Sequence, residues 1–497
     1  MKTVVPSAQN AQKSSLDKLE TGIVGLDRLM HGGLPKQRVT LIAGTSGSAK
    51  TVLSAQFLYE GAMRGEPGVF VTMEEPPDEI RLNMQGLGWD IAGLEEKGLW
   101  AFVDASPDLE HDVVLGDFDF GGLIARVRAA VERIGATRVV LDSIGSAFVR
   151  YGEPAIVRRE LGVVSNALRE MGATAIITVE RLEEDGPISR HDVEEFVADN
   201  VLILRNRLSD ERRRRTIEVL KVRGAGHSKG EYPFSVLPDT AVQIVPINHS
   251  RLEHKSTDTR IASGVDALDE MLGGGLFRDA VTVISGATGT GKTLLSTHFL
   301  AAGAQENERC LLLAFEESPD QLARNAQSWG FDYDDLQGSD TLRIVSVFPE
   351  AQSLEDHLVM LREQVLEYEP RRLAIDSMSA LERVSDEQQF REFCIGLISF
   401  VKQQQIATLL TSTTPGLAGG QSVTDAHVST LTDTILLLRY VEQGGSVDRA
   451  MHVLKMRGSR HDTHVRRYRI TDDGMKIADP FDEAVGIIRT PAVGQNE

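Results

Sequence analysis

The fold is decided by one stretch of the sequence, Gly286-Ala-Thr-Gly-Thr-Gly-Lys-Thr293, which fits the phosphate-binding pattern G-x-x-x-x-G-K-[ST] in full. A strand-like apolar run (281–285) precedes it, and an amphipathic helical pattern (294–304) follows. Backbone N–H groups of such a turn curl around phosphate oxygens at a helix N-terminus, while the lysine reaches the outer phosphates and the last hydroxyl binds Mg²⁺. The predicted nucleotide-binding residues are Thr288, Gly289, Thr290, Gly291, Lys292 and Thr293.

The same pattern occurs twice in the chain. Residues 44–51 (GTSGSAKT) repeat residues 286–293, and the neighbouring motifs repeat in the same order. The other repeated pairs are residues 21–27 with 263–269, Glu74-Glu75 with Glu316-Glu317, the LDS at Asp142 with the IDS at Asp376, and Lys221-Val-Arg223-Gly with Lys455-Met-Arg457-Gly. A period this long indicates a duplicated domain rather than a solenoid. The second copy also argues against a chance match in a glycine-rich turn.

Composition suggests where the two copies begin and end. We expect a flexible N-terminus (1–17), a first domain (18–245), a polar linker (246–260), a second domain (261–480) and a short tail (481–497). Within each copy, apolar strand-like runs alternate with amphipathic helical segments. This alternation predicts an α/β fold in which a mainly parallel, twisted sheet is flanked by helices.

The overall composition excludes several classes of protein. The 497 residues carry 73 acidic and 53 basic side chains, a formal net charge of −20, which argues against a protein that mainly neutralises nucleic-acid phosphates. Two cysteines, Cys310 and Cys394, are too few for a disulfide framework or a four-thiolate zinc site. No apolar run reaches the ~18 residues of a membrane span. We therefore expect a cytoplasmic protein without membrane contact.

The first loop departs from the pattern at one position, because Ala49 stands where the last glycine belongs. Its methyl group crowds the backbone if the position requires unusual dihedral angles, and the affinity and hydrolysis rate of this site depend on that. Lys50 and Thr51 are intact, so nucleotide binding is still expected. The predicted binding residues of the first loop are Ser46, Gly47, Ser48, Ala49, Lys50 and Thr51.

Single carboxylates end a strand-like run beside each loop. Asp142 follows the run 139–141, and Asp376 follows the run 373–375. At the carboxyl end of a parallel strand, such a side chain would hold the water shell of Mg²⁺. The alternative is that each aspartate caps the helix that follows.

Paired glutamates follow another apolar run in each half. Adjacent residues at a strand end point to opposite sides, so one member of Glu74-Glu75 and one of Glu316-Glu317 can face the γ-phosphate. That carboxylate could orient or deprotonate the attacking group. The alternative is a charge pair at a helix N-terminus, since prolines follow. Repetition of the arrangement favours a catalytic role.

Basic residues recur late in both halves, namely Lys221, Arg223 and His227 in the first and Lys455, Arg457 and His461 in the second. Residues two apart on a strand share a face, so each Lys–Arg pair projects together. In a ring of such domains the pair could reach the neighbour's active site. The alternative is a solvated basic edge strand. The arginine run 212–215 has no counterpart in the second half, and we interpret it as a solvated turn or an interface patch.

The two halves differ just before a matching strand. Glu195 and Phe196 align with Ser429 and Thr430, and Arg190 aligns with Thr424. Hydroxyls therefore cluster only in the second half, where phosphorylation could supply the negative charge that Glu195 carries permanently. The alternative is that Ser and Thr are merely common near strand starts.

Together these residues resemble the KaiC family, the cyanobacterial-type circadian clock ATPases and autokinases with two RecA-like domains. The resemblance extends from Thr21 to about Pro491, and its further signatures are residues 158–161 (RREL), 194–196 (EEF), 229–234 (KGEYPF), 355–357 (EDH) and 427–433 (HVSTLTD). It implies two tandem RecA-like P-loop NTPase domains in a double-ring homohexamer, with ATP between neighbouring subunits. It also implies that the N-terminal ring is a slow ATPase and that the C-terminal ring phosphorylates and dephosphorylates itself.

Residue by residue, the resemblance implies that Glu74 is the catalytic carboxylate of the N-terminal ring and Glu316 the base that activates the acceptor hydroxyl. Ser429 and Thr430 match the phosphorylation sites, and Thr424 a nearby hydroxyl involved in phosphate exchange. The six late basic residues match nucleotide contacts across the subunit interface, and Trp329 and Arg449 match further contacts in the C-terminal site. The expected Mg²⁺ ligands are Thr51, Thr293, Asp142, Asp376 and Glu316.

The chain departs from the family in Ala49 and in its C-terminal end, which follows Pro491 closely. The long tail to which KaiA binds in the family is largely missing, which makes KaiA-type control doubtful. If the loop that KaiA pulls out in the family is displaced by default, the kinase could be constitutively active. A KaiB-like partner is compatible with the sequence.

Two other functions are compatible with duplicated P-loop domains. A RecA/DnaB-like DNA motor needs a basic channel, which the charge of −20 disfavours. A non-catalytic ring that uses ATP only for assembly fits the altered first loop better than the complete second loop.

Overall fold

The computed structural model describes residues 16–106, 119–148, 153–189, 194–209, 212–238, 240–245, 256–414, 430–443 and 446–481. The chain divides into two compact units, residues 1–246 and 247–497. The boundaries proposed above for the domains, linker and tail stay predictions.

The first unit contains a large sheet and a small one. Its strands are β1 (Lys18–Leu19), β2 (Leu34–Pro35), β3 (Val39–Gly44), β4 (Gly68–Thr72), β5 (Trp100–Asp104), β6 (Arg138–Asp142), β7 (Thr174–Glu180), β8 (Asn200–Ser209), β9 (Arg212–Val222), β10 (Glu231–Leu237) and β11 (Ala241–Ile244). Among the described residues, nine strands form the large sheet in the order β11-β10-β9-β8-β3-β7-β6-β4-β5. The six strands from β8 to β5 are parallel, and β9, β10 and β11 continue the sheet antiparallel.

Helices connect these strands. They are α1 (Leu26–Leu29), α2 (Lys50–Met63), α3 (Pro77–Gln85), α4 (Ile91–Glu96), α5 (Phe120–Ile134), α6 (Ile144–Phe148), α7 (Pro154–Glu170) and α8 (Glu194–Val197). Both faces of the sheet are covered, because Leu41 belongs to one apolar core and its neighbour Ile42 to the core on the other side.

The second unit repeats this architecture. Its strands are β12 (Arg260–Ile261), β13 (Leu276–Phe277), β14 (Val281–Gly286), β15 (Cys310–Ala314), β16 (Leu342–Ser346), β17 (Arg372–Asp376), β18 (Ala407–Thr413), β19 (Thr434–Gln443), β20 (Ser446–Met456), β21 (Arg466–Thr471) and β22 (Gly474–Pro480). Its helices are α9 (Asp266–Met271), α10 (Lys292–Gln305), α11 (Pro319–Gln327), α12 (Tyr333–Gly338), α13 (Leu354–Tyr368), α14 (Met378–Glu382) and α15 (Glu387–Gln403), with one 3₁₀ turn at Pro349–Ala351. The large sheet of the described residues has the order β16-β15-β17-β18-β14-β19-β20-β21-β22.

The strand that feeds each phosphate-binding loop lies in the middle of its sheet. β3 is parallel to β7 on one side and to β8 on the other, and β14 is parallel to β18 and β19. The carboxyl ends of these strands meet at one edge, where ligands bind in open α/β sheets. This edge also receives the ends of β4 and β6, and of β15 and β17.

Two local expectations are corrected. The helix after the second loop is not amphipathic, because eleven residues of α10 are buried, including Thr297 and His298. It packs against the central strands of the sheet, β15 and β17 above all, and also against the edge strand β22, which leaves little of its surface for solvent. The arginine run 212–215 is not a turn, since it begins β9, where Arg213 pairs with Leu208 of β8. Within the part of the chain that is described, no helix has the length and apolar character needed to cross a membrane.

Candidate active site

The second loop leads from β14 directly into α10, and its lysine is buried within it. Lys292 Nζ donates to the carbonyls of Gly286 at 2.9 Å and Ala287 at 3.1 Å. Burial lowers the pKa of Lys292, and the carboxylates of Asp376 and Glu316 oppose that shift. The carbonyl contacts hold the ammonium group at the mouth of the loop, where a phosphate would replace them.

A cavity of about 320 Å³ opens beside this loop. Its walls combine motifs that are far apart in the sequence, because they come from the ends of β14, β15 and β17. Of the predicted site residues, it is lined by Thr288, Gly289, Gly291, Lys292, Thr293, Glu316, Glu317, Trp329 and Asp376. Thr290 is buried under the loop, where its hydroxyl donates to the Ala287 carbonyl at 2.8 Å.

Asp376 is held by two hydroxyls. Thr293 Oγ1 donates to Asp376 Oδ2, and Thr411 Oγ1 donates to Asp376 Oδ1, both at 2.6 Å. These contacts occupy both carboxylate oxygens, and they bring together the two residues expected to face Mg²⁺. They do not support the alternative in which Asp376 caps the next helix, since α14 has Ser377 at its N-cap.

The members of each glutamate pair have different partners. Ser377 Oγ donates to Glu316 at 3.0 Å and Arg383 also pairs with it, whereas Asn325 of α11 donates to Glu317 at 2.8 Å. In the first unit Ser143 donates to Glu74 at 2.7 Å and Asn83 of α3 to Glu75 at 3.2 Å. The first glutamate thus faces the end of β17 or β6, and the second is tied to the following helix.

The surroundings of the second glutamate of each pair raise its pKa. Burial raises the pKa of Glu317, and the neighbouring Asp376 raises it further, while the Asn325 hydrogen bond lowers it. Burial likewise raises the pKa of Glu75, with Asp142 adding to the shift.

The first loop holds its lysine in the same way. Lys50 Nζ donates to the carbonyls of Gly44 and Thr45, both at 2.9 Å. Burial lowers the pKa of Lys50, and four carboxylates oppose the shift, in decreasing order those of Glu180, Asp142, Glu74 and Glu184. Asp142 accepts from Thr178. The first lysine therefore has a more acidic environment than Lys292.

Ala49 has the unusual backbone dihedral angles at which its methyl group was expected to crowd the backbone. Ala49 has φ 70° and ψ 28°, the left-handed region, as Gly291 has at the matching position with φ 92° and ψ 28°. An L-residue with a Cβ is strained there, whereas glycine is not. The loop nevertheless continues into a regular helix, α2, at Lys50.

The late basic residues do not line the second-unit cavity. Lys455 Nζ donates to the Thr432 carbonyl at 2.7 Å, and Arg457 Nη2 to the Thr430 carbonyl at 2.8 Å. In the first unit Lys221 Nζ donates to the Glu195 carbonyl at 2.8 Å. Each lysine therefore reaches the segment just before the matching strand, β19 or β8.

The remaining basic residues lie nearby. Arg223 is 3.6 Å from the carboxylate of Asp199, and Arg457 is 3.9 Å from that of Asp433. His227 and His461 are half-buried, and the Nδ1 atom of each is buried with no hydrogen-bond partner among the described residues. Burial, followed by His31, lowers the pKa of His227.

Of the predicted phosphorylation sites, Thr430 is exposed. Ser429 and Thr424 lie outside the described residues. Arg449 is not in the cavity lining but donates to the Gly289 carbonyl at 3.4 Å, at the outer side of the loop.

Several residues at these sites escaped the sequence analysis. Arg215 is the main one, because its Nε donates to the Gly47 carbonyl at 3.2 Å, as Arg449 does to Gly289. Aligning the halves at the spacing of the late basic motifs would have paired Arg215 with Arg449. Ser143 and Ser377, which hold the first glutamates, were already visible as the last letters of the repeated LDS and IDS.

Two protein groups at the second site suit a divalent cation. Thr293 and Asp376 together offer a hydroxyl and a carboxylate. Mg²⁺ typically takes one or two protein carboxylates and completes its shell with phosphate oxygens and water. The described residues contain no cluster of three or more His, Cys, Asp or Glu side chains that could hold a metal by themselves. A nucleotide-bound Mg²⁺ is compatible with this donor set.

Comparison with known proteins yields a consistent set of relatives. A family model described as "ATPase: KaiC" matches twice, at residues 19–249 and 261–481. The circadian clock protein KaiC3 of Synechocystis sp. is 54% identical over 96% of this chain and 95% of its own length. The circadian clock oscillator proteins KaiC of Synechococcus elongatus and Thermosynechococcus vestitus are 48% and 47% identical, over 95% and 97% of this chain and 91% and 93% of their own lengths. With both large sheets and both loops in place, the chain belongs to the KaiC family of ATPases, as two tandem RecA-like units.

Proposed function

We propose that this chain is an ATP-hydrolysing serine/threonine autokinase and autophosphatase that assembles as a double-ring homohexamer. ATP hydrolysis runs mainly in the N-terminal ring, and Ser429 and Thr430 are phosphorylated in the C-terminal ring. The protein acts as a clock, timing or signalling component, and a KaiB-like protein is compatible with it as a partner.

One observation carries the assignment of kinase activity to the C-terminal unit. Two of the late basic residues hold the segment that carries the proposed acceptor Thr430, since Arg457 donates to the Thr430 carbonyl and Lys455 to the Thr432 carbonyl. The first unit holds its matching segment by the same kind of contact, from Lys221 to Glu195. That segment offers Glu195 and Phe196 in place of hydroxyls. The lysine-to-carbonyl contact therefore holds a segment with acceptor hydroxyls in the second unit and a segment with a permanent negative charge in the first.

The position of these cations also supports ring assembly. In the described part of the second unit, Lys455, Arg457 and Thr430 are absent from the residues that line the cavity. Because this cation pair and this acceptor lie outside their own cavity, they can reach a bound nucleotide in the cavity of a neighbouring subunit. A closed ring supplies one to every subunit.

The side chains of the second cavity define a route for phosphoryl transfer. Ser377 and Arg383 hold Glu316, which orients the acceptor hydroxyl and takes its proton as the hydroxyl oxygen attacks the γ-phosphorus. The bond to the β–γ bridging oxygen breaks, and ADP leaves. Lys292 binds the β- and γ-phosphates, and Thr293 and Asp376 would hold Mg²⁺, which would neutralise charge on those phosphates. In the first unit, water takes the place of the hydroxyl and Glu74 that of Glu316.

Intact-mass spectrometry tests this proposal. Incubation of the full chain with Mg-ATP should add phosphate at Ser429 or Thr430, and Glu316→Gln should slow the addition by about 100-fold or more, because general-base catalysis is lost. Glu74→Gln is the matched control, and it should slow phosphate release into solution while leaving the mass shift. A parent chain that never gains mass would contradict the autokinase.

A further inference from the structure

In each unit, a polar side chain on the helix after the loop fastens a hairpin, but the two units use different residues. In α2, Gln56 Nε2 donates to the carbonyls of Thr240 and Val242 at 3.3 Å, and its Oε1 accepts from the Val242 N–H at 2.9 Å. In α10, His298 Nε2 accepts from the Met475 N–H at 2.9 Å. Gln56 and His298 occupy the same position relative to the loop lysine.

The hairpin that His298 fastens is part of the wall of the nucleotide cavity. Its strands β21 and β22 pair through Thr471 and Gly474. Ile470 lines the cavity, and its Cδ1 lies 3.0 Å from where a Cβ of Gly291 would be. Tyr468 donates to the Thr290 carbonyl. The hairpin thus supports the loop backbone at two consecutive residues.

The imidazole of His298 is held in one orientation. Its side chain is only 8% exposed, and its ring meets Phe331 edge-on at 4.9 Å between centroids. Gly474, with φ 93°, is the close neighbour on the other side, because a Cβ there would lie 2.3 Å from Nε2. The ring therefore has little freedom to replace the Met475 hydrogen bond with another.

We propose that His298 is a positioning residue for the C-terminal nucleotide site. Its neutral imidazole accepts the Met475 N–H and holds the β21–β22 hairpin against the loop, and an imidazolium, which has no lone pair, cannot. Acid therefore loosens this wall and weakens nucleotide binding in the C-terminal unit. Gln56 does not titrate, so its fastening persists. The inference rests on nucleotide binding at loop 286–293, as in the proposed function.

The surroundings of the ring set the direction of the pH effect. Burial lowers the pKa of His298 from its ordinary value of 6.5, the Gly264 carbonyl raises it, and Lys476 of β22 lowers it. Among the described residues packed against the ring, Lys476 is charged and affects the pKa of His298, whereas Phe331 and Gly474 are uncharged. The folded state binds the proton less readily than the unfolded chain. The fastening is thus complete above pH 6.5 and is lost as the pH falls through the lowered pKa.

Nucleotide binding by the full chain provides the first test. In a Lys50→Ala background, fluorescent N-methylanthraniloyl-ADP reports on loop 286–293. As the pH is lowered from 7.5 to the lowest value at which both chains stay folded, the Kd should rise about three- to tenfold more with His298 than with His298→Gln, as expected for the loss of one hydrogen bond. The Gln variant corrects for titration of the nucleotide's own phosphates. Equal pH dependence in the two chains would overturn the inference.

The reverse substitution and amide exchange complete the test. In a Lys292→Ala background, Gln56→His should make the first site acid-sensitive by a similar factor. Without nucleotide, hydrogen exchange at the Met475 amide, corrected for intrinsic rates, should lose protection at the same low pH, whereas the amide of Leu436 in β19 should keep it. Unchanged protection at Met475 would refute the fastening even if nucleotide binds. Absence of nucleotide binding with acid-labile protection would instead refute the proposed function alone.

Discussion

The two phosphate-binding loops follow the same backbone path but are supported by different side chains. The first is tied by side chains of its own sheet edge, since Glu184 accepts from Thr45 Oγ1 and Asn206 Nδ2 donates to the Gly47 carbonyl. The second is supported by aromatic side chains, through Tyr440 and Tyr468, which donate to the carbonyls of Thr288 and Thr290. A strand–turn–helix backbone is thus enough to shape the loop. The supporting side chains then set its charge and its links to the rest of the unit.

The loop lysines offer the largest test of this comparison. Lys292→Ala should reduce phosphate incorporation by about 100-fold or more, because a preorganised positive charge at the phosphates is lost. Lys50→Ala should reduce total ATP hydrolysis and leave incorporation largely intact. Phosphate release and mass gain, measured on both variants, would separate the two units. Equal losses in both assays from either variant would mean that ATP hydrolysis and autophosphorylation are not separated between the two units.

Asp199 and Asp433, which directly precede β8 and β19, test how strongly the stability of each unit depends on a buried ion pair. Asp199 is 1% exposed and pairs with Arg38 and Arg169 at 3.1 and 3.0 Å, whereas Asp433 is 18% exposed and pairs with Lys402 at 2.8 Å. Breaking a buried ion pair costs about 3–5 kcal/mol. We expect Asp199→Asn to approach that cost and Asp433→Asn to cost less.

Urea unfolding can follow each unit by its own tryptophans, since Trp89 and Trp100 lie in the first unit and Trp329 in the second. Asp78→Asn is the control, because this carboxylate is 95% exposed and its ion pair with Arg81 should contribute about 0–1 kcal/mol. A larger loss of unfolding free energy for Asp433→Asn than for Asp199→Asn would show that burial does not decide how much each aspartate stabilises its unit.

Exchanging the residue before each loop lysine tests backbone strain. Gly291→Ala should destabilise the second unit by about 1–2 kcal/mol, since a Cβ is strained at its left-handed φ and would crowd Ile470. Ala49→Gly should stabilise the first unit by less, about 0.5–1 kcal/mol, because glycine also loses more entropy on folding. Thermal unfolding of both variants checks the two signs. A destabilised Ala49→Gly chain would show that the methyl packing there outweighs the strain.

The smallest expected effect concerns the second glutamate of each pair. Burial and the nearby Asp376 raise the pKa of Glu317, so its ionised form disfavours folding. Glu317→Gln should therefore raise Tm at pH 7.5, and the gain should vanish as the pH falls below the ordinary glutamate pKa of 4.5, where the carboxyl is protonated in both states. Glu75→Gln should follow the same trend. A gain independent of pH would point to packing instead of charge.

Local features were predicted well from the sequence, and partners across the sheet were not. The spacing of glycines and Lys292 defines a loop because the motif encodes its own backbone geometry. The split of Glu316 and Glu317 between Ser377 and Asn325 could not be read from two adjacent letters, since it depends on which strand and helix lie beside them. The burial of α10 on all sides was not predicted because one of the strands that pack against it, β22, lies far away in the sequence.

The sequence by itself determined that there are two copies of one unit, each with a complete or nearly complete phosphate loop. It also determined that hydroxyls replace Glu195 and Phe196 in only one of them. These are facts of residue type and spacing. The tertiary structure alone decided that Arg457 donates to the Thr430 carbonyl and that His298 accepts from the Met475 N–H of the β21–β22 hairpin. Strand order brings those groups together, and strand order depends on packing across the whole sheet.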